Sequence, residues 1–307
     1  MVGHHSIEFL GGIMKIATLG LMAVLFSGSL IASELKPIKE VFEPKGKFST
    51  KTHMKVAVVQ WAPDASAPLG SKQAAERFKE SNRQVLEDFI REAASNGAKM
   101  VVTPEFGTVG YPDIPELPSE DDNFRTREDV APYVETDKGT TAKRFSSLAK
   151  ELKVYIHVGM AEVDAKTKNY HNTVLVFDPA GKLAAKYRKS HLYQQEDNYL
   201  VPGDKISTYQ SPVGKVGMII CSDVYGSFPM NDYSREKVDV LALSTSWAQS
   251  NTGWGYFTDG AKWVDAYLLA ANQNYYPDSG VINPDGSGQS HIRQTTGVAY
   301  GYLPLKK

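Results

Sequence analysis

A chain of 307 residues and 33.8 kDa is long enough for one large domain or two ordinary ones, with a sizeable core. Its 42% hydrophobic and 22% charged residues give the composition of an ordinary soluble globular protein. The 34 basic and 35 acidic residues are well mixed and sum to −1, which excludes a nucleic-acid footprint and a basic patch for anionic lipid.

The N-terminal region differs from the rest. From Met14 the chain reads MKIATLGLMAVLFSGSLIASELKP: a basic start at Lys15, an apolar run to about Ile31, then small residues before charged ones. These are the three parts of a secretory signal over 14–33, with cleavage expected after Ala32 or Ser33. The run is short for a spanning helix, which wants about 20 apolar residues, and Thr18, Gly20, Ser27, Gly28 and Ser29 dilute it. The expectation is export to the periplasm or medium, with no membrane span retained. Residues 1–13 precede a credible start at Met14. Residues 34–53, polar and rich in Lys and Pro, read as a linker, and 54–307 as one domain.

In chain order, MKVAVVQWAP predicts a buried strand over 55–60, stopped by Pro63. Phe78, Val85, Leu86, Phe89, Ile90 and Ala93 fall at helical spacing and predict an amphipathic helix over 71–95, ended by Gly97. KMVVTPEFG is the next strand. Residues 112–138 are acidic, proline-rich and without period, and read as a surface excursion able to cover a pocket. A helix over 140–152 precedes the strand VYIHVGMAEV. TVLVFDPAGKLAAKYRK is a hairpin turning at Asp178-Pro179-Ala180-Gly181. KVGMIIC, a short helix over 229–236, the strand VDVLALST and a helix over 257–272 follow, and a last hairpin turns within 283–288. Strands alternating with helices and hairpins predict an α/β sandwich with mixed sheets.

Three apolar strands end on residues able to do chemistry: MVVTPE on Glu105, LAAKYRK on Lys189 and VGMIIC on Cys221. In open α/β sheets ligands gather beyond the carboxyl ends of strands. Taken singly, each has an ordinary alternative. Glu105 fits a solvated loop, Lys189 a charged strand end, and Cys221, the one cysteine, a small apolar core residue. Together they make a coherent set. A thiol with its usual pKa of about 8.5 is mostly protonated at neutral pH and needs a base, a part open to Glu105. Attack on an amide carbonyl creates an oxyanion, which Lys189 and the backbone N–H of Ser222 are placed to stabilise.

TPEFG, YRKSHL and MIICSD, in that order, resemble the carbon–nitrogen hydrolase (nitrilase) superfamily. The likeness extends through KVAVVQ, the NTVLVFDPAGKLAAKYRKSHL hairpin, AANQN and GVINPDGSG over nearly all of the chain beyond the linker. It implies an α-β-β-α sandwich, with Glu105 as general base and acid, Lys189 as oxyanion stabiliser and Cys221 as nucleophile. Glu196 is implied as a second carboxylate positioning the lysine, with Asp197 next door as the other candidate. Cys221-Ser222-Asp223 is closer to the amidase branches than to nitrile-cleaving members, which typically place Trp-Glu after the cysteine. Tyr225 stands about where amidases of ω-amido or N-carbamoyl acids carry an arginine that holds a substrate carboxylate, leaving Arg188 as a substitute. EDNYLVPGDK and LALSTSWAQS are similar to the biotinidase and vanin branch, which offers Trp247, with Tyr225, as a pocket wall; the alternative for Trp247 is packing.

The seven histidines show no metal-ligand spacing, and GSG at 286–288 is a turn, so no metal and no organic cofactor is inferred. His157 and His191 read as structural. The reaction expected is hydrolysis of a small-molecule amide through a cysteine thioester. Nitrile hydrolysis, acyl transfer to an amine, and an inactive binding protein are the alternatives. The resemblance also implies a homo-oligomer.

Overall fold

The computed structural model describes residues 40–44, 46, 48–112, 124–247, 253–273, 278–293 and 295–307. The expected signal (14–33) and much of the excursion at 112–138 lie outside them. Among the described residues no helix is long and apolar enough to cross a membrane.

Two sheets face each other. The first, in spatial order, holds β1 (Glu40–Phe42), β13 (Gly297–Pro304), β2 (His53–Gln60), β3 (Met100–Val102), β4 (Tyr155–Val163), β5 (Tyr170–Phe177) and β6 (Leu183–Arg188). The second holds β12 (Gly288–Ile292), β11 (Ser279–Ile282), β10 (Tyr267–Asn272), β9 (Val240–Thr245), β8 (Gly214–Ile220) and β7 (Thr208–Ser211). Both are mixed. β2–β3–β4 and β8–β9–β10 run parallel, antiparallel strands flank them, and the edge strand β1 is parallel to its neighbour β13.

The period of two along each strand sorts side chains between the layers. Val56 and Val58 of β2, with Met100 and Val102 of β3, point into the core shared with β8, β9 and β10. Ala57, Val59 and Val101 point the other way, against Leu86, Phe89 and Ile90 of α1 (Lys72–Ser95) and Phe145 and Leu148 of α3 (Thr140–Leu152). α4 (Ser227–Arg235) and α5 (Gly253–Val264) cover the outer face of the second sheet through Met230, Phe257 and Ala261. The layers therefore run α-β-β-α, as the resemblance implies.

α1 begins where the Ser71 side chain accepts from the Ala74 N–H, a cap that satisfies one of the otherwise unpaired donors of the first turn. Leu86, Phe89 and Ile90 are fully buried, each contributing about 1.5–3 kcal/mol.

Three expectations change. Residues 40–42, inside the expected linker, form β1 and pair in parallel with β13. Residues 257–272 do not make one helix: α5 stops at Val264, Asp265 turns at φ 54°, and 267–272 enter the second sheet as β10. YLLAAN is a short apolar run, and such runs look alike to a periodicity argument whether helix or buried strand. Residues 124–138 are not a surface excursion. They carry the short helix α2 (Arg127–Val130) and bury Phe124, Val130 and Tyr133 against Phe106, Tyr111 and Tyr199.

Candidate active site

The sites of chemistry expected from strand ends converge. β3 delivers Thr103-Pro104-Glu105, β6 delivers Lys189, and β8 delivers Cys221, all at the carboxyl ends of their strands. Lys189 Nζ lies 2.9 Å from Glu105 Oε1 and 2.7 Å from Glu196 Oε2. All three side chains are buried, so one ammonium is shared by two carboxylates away from water. Of the two acidic neighbours considered at the lysine, Glu196 is therefore the partner. It also accepts from the Tyr193 N–H at 2.7 Å, which closes the turn over 194–198.

Ser246 joins the acid to the thiol. Its N–H donates to Glu105 Oε2 at 2.8 Å, and its carbonyl faces Cys221 Sγ at 3.9 Å. Glu105 is held further by Asn172 Nδ2 on Oε1 at 2.7 Å and by Gln273 Nε2 on its backbone carbonyl at 2.6 Å. Ser244 Oγ donates to Thr103 O at 2.8 Å, so the ends of β9 and β3 are tied across the two sheets. Asn172, Ser246 and Gln273 were not singled out from sequence. Polar side chains inside or just after apolar strands (Asn172 in β5, Gln273 after β10) were the available signal, because a buried polar group needs a stated partner.

Cys221 adopts φ 46°, the left-handed region that costs a residue with a Cβ about 1–3 kcal/mol. The chain turns there from β8 into one 3-10 turn, residues 221–225, which aims the thiol at the Glu105–Ser246 side. Burial, then the Glu105 charge, pushes the thiol up to about 12, while Lys189 and the Thr245 hydroxyl pull it down. Burial works against the Lys189 ammonium too, but the charges of Glu105 and Glu196 outweigh it and hold its pKa well above the usual lysine value. Burial raises the pKa of Glu196 against the pull of that ammonium.

Asp223 locks the cysteine turn to the lysine loop. Its Oδ1 accepts from the Ser190 and His191 N–H groups (3.1 and 2.7 Å), and its Oδ2 from the Ile220 N–H and Tyr187 hydroxyl (2.9 and 2.8 Å). Burial lifts it to about 6 against those donors. Ser222 donates through its hydroxyl to His191 O, a further tie between the same loops. Tyr225 ends the turn with its ring 5.3 Å from His191 and 6.2 Å from Trp247, so both expected wall residues stand on the cysteine side. Arg188 is not a free clamp. It pairs with Glu162 and Asp164, both at 2.7 Å. His157 is structural, buried at 2.7 Å from the Tyr209 hydroxyl, and burial holds it neutral with a pKa of about 3.

A carboxylate, an ammonium and a thiol at one buried strand-end junction is a constellation for acyl chemistry. Residues 55–306 match the carbon–nitrogen hydrolase family. The chain belongs to that family. As a carbon–nitrogen hydrolase it is an enzyme of non-peptide C–N bonds. It is 35% identical over 245 residues to the human omega-amidase NIT2, covering 71% of this chain and 81% of that one. It is 29% identical over 260 residues to mouse pantetheinase, covering 76% of this chain and 50% of the relative. The carbon–nitrogen hydrolase thus spans about half the length of that pantetheinase. Its fold is similar to Saccharomyces cerevisiae Nit3 (TM-score 0.66, 24% identity, 82% of this chain and 90% of that one). An amidase from Nesterenkonia sp. is similar in fold as well (TM-score 0.65, 20% identity, 84% and 93%).

Proposed function

We propose that this carbon–nitrogen hydrolase cleaves a small-molecule amide through a thioester on Cys221, with Glu105 as general base and acid and Lys189 as oxyanion stabiliser. The observation that carries the reading is Ser246, whose N–H holds Glu105 while its carbonyl faces the Cys221 sulfur, next to an ammonium clamped by two buried acids.

A thiol raised by burial is protonated at rest, so attack requires Glu105 to take the sulfur's proton as the C–S bond forms. The carbonyl oxygen becomes negative opposite the Lys189 ammonium. The N–H of Ser222, at the start of the 3-10 turn where helical donors have no intrahelical acceptor, supplies a second stabilising group. Glu105 then passes its proton to the nitrogen, the C–N bond breaks and the amine leaves. Water, deprotonated by Glu105, attacks the thioester and restores the thiol. Glu196 positions Lys189 and touches no reacting atom.

The test is ammonia or amine release from a panel of primary amides, secondary amides and nitriles, with acyl adducts read by intact mass. Turnover lost in Cys221→Ala and in Glu105→Gln, with a single adduct in wild type, supports the reading. Turnover that survives Cys221→Ala overturns it.

Export through the 14–33 segment and assembly into a homo-oligomer belong to the same proposal. Cell fractionation with N-terminal sequencing tests the first, a mature start near residue 34 being the expected result. Sedimentation tests the second. Phe228 and Trp263, 37% and 40% exposed on α4 and α5, supply apolar surface for a second copy.

A further inference from the structure

Beside Cys221 the structure builds a continuous aromatic wall. Tyr225, the last residue of the cysteine turn, packs its ring 5.6 Å from Tyr256 and 6.2 Å from Trp247. Trp247 follows Ser246 directly and packs 5.0 Å from Tyr256 and 5.5 Å from Phe257. Trp247 is 7% exposed and Tyr256 45%, so the wall runs from the interior out to the surface. The cations next to the site in the chain are all committed: Lys189 to Glu105 and Glu196, Arg188 to Glu162 and Asp164, Lys186 to Glu162 and Asp137. On the helices behind the wall, Lys262 pairs with Asp259 and Arg235 with Asp232. The sequences of 113–123, 248–252 and 274–277 contain no lysine or arginine.

A carboxylate brought to this wall meets ring π-systems, which carry no charge to pair with it and attract cations over their faces. It also meets two buried acids set against one ammonium, while among the described residues the lysines and arginines flanking the site in the chain are already paired. We infer that Tyr225, Trp247 and Tyr256 select the substrate by charge: the amide cleaved here bears a neutral or cationic group on the wall, and substrates with a free carboxylate at that position are rejected. The inference rests on the amidase reading above and adds its substrate class.

The single cysteine lets charge selection be read without turnover. The purified folded protein is treated with two methanethiosulfonates of similar bulk, one carrying a sulfonate and one a trimethylammonium, and each rate is divided by that for the urea-unfolded chain. The cationic reagent is expected to react faster by about tenfold, as charge at close range in a partly buried site requires. A ratio at or below one overturns the inference. Tyr225→Arg is expected to invert the ratio. Since a partly buried arginine can prevent folding, Tyr256→Arg at the exposed end of the wall is measured alongside, and is expected to lower it. A ratio unmoved by either folded variant overturns the assignment of the wall. The two readings fail separately. Absence of amide turnover leaves the reagent ratio standing, whereas cleavage of a carboxylate-bearing amide faster than its methyl ester overturns charge selection and supports the amidase.

Discussion

Gly159 of β4 lies directly behind the turn that carries Glu105. A Cβ at this position would stand 2.6 Å from Pro104 O, 2.9 Å from Phe106 N and 3.3 Å from Glu105 C, all backbone atoms with no rotamer to change. Ordinary carbon contacts begin near 3.4 Å, so Gly159→Ala forces the turn back by several tenths of an ångström. Glu105 is held on its far side by 2.8 and 2.9 Å bonds to Ser246 N and Lys189 Nζ, and such a shift weakens or re-aims both. Overpacking of this kind costs about 1–3 kcal/mol, too little to unfold a domain with a usual margin of about 5–15 kcal/mol. Displacement of a reacting group by about 1 Å costs on the order of 100-fold in rate. The expected result is a folded variant, destabilised by 1–3 kcal/mol in urea, whose turnover falls tens of times or more. Gly255→Ala is the control. Its Cβ meets nothing within 4 Å in α5, and it should leave activity unchanged and gain up to about 1 kcal/mol. Full activity in folded Gly159→Ala would refute the claim that the Glu105 turn is held rigidly between β4 and the second sheet.

Other outcomes follow from the same geometry. Because Cys221 sits at φ 46°, Cys221→Gly should unfold at higher urea than Cys221→Ala, by about 1 kcal/mol, although both lose the thiol; equal midpoints would show that the turn stores no strain. Lys189→Met leaves Glu105 and Glu196 buried without their shared cation, which should cost about 3–5 kcal/mol at pH 8. That cost should shrink toward pH 5 as Glu196, whose pKa burial raises, protonates, and a pH-independent loss would be inconsistent with the pairing. Glu162, buried against Arg188 and Lys186, is pushed up by burial but pulled down further by those partners, to about 2. A depressed carboxyl stabilises above its unfolded pKa and loses that contribution as pH falls through the folded one. The gap between wild type and Glu162→Gln should therefore be flat from pH 8 to about 5, at up to about 3 kcal/mol, and close toward pH 2; urea titrations across that range decide it.

Much of this was legible in the chain because its signals are local. The alternation in KVAVVQ, the helical spacing of Phe78 to Ala93 and the Asp178–Gly181 turn each specify their own element. The placement of Glu105, Lys189 and Cys221 at strand ends follows from the same patterns. The partners that fix those residues are non-local. Gln273 reaches Glu105 O from 168 positions away and Ser244 reaches Thr103 O across 141, and no period or turn signal encodes such a meeting. Arg188 illustrates the converse. As a cation beside Lys189 it reads as available for substrate, but the sequence around it does not reveal that Glu162 and Asp164 occupy it. The break after Val264 went unseen for a third reason: an apolar hexamer buried on both faces has lost the polar alternation that tells strand from helix.

The position of β13 bears on how the molecule comes into being. It runs alongside β2 over all eight of its residues and also provides the partner for β1, so a strand from the far end of the chain lies near the start of the sheet that bears Glu105 and Lys189. Until residues 297–304 are available, β2 presents a bare, apolar edge, the form of surface most open to pairing with other chains. A partly synthesised chain therefore cannot complete its first sheet early. It must stay unfinished or be shielded until residue 304 has been made, and a chain cut before β13 should aggregate rather than fold to a smaller domain.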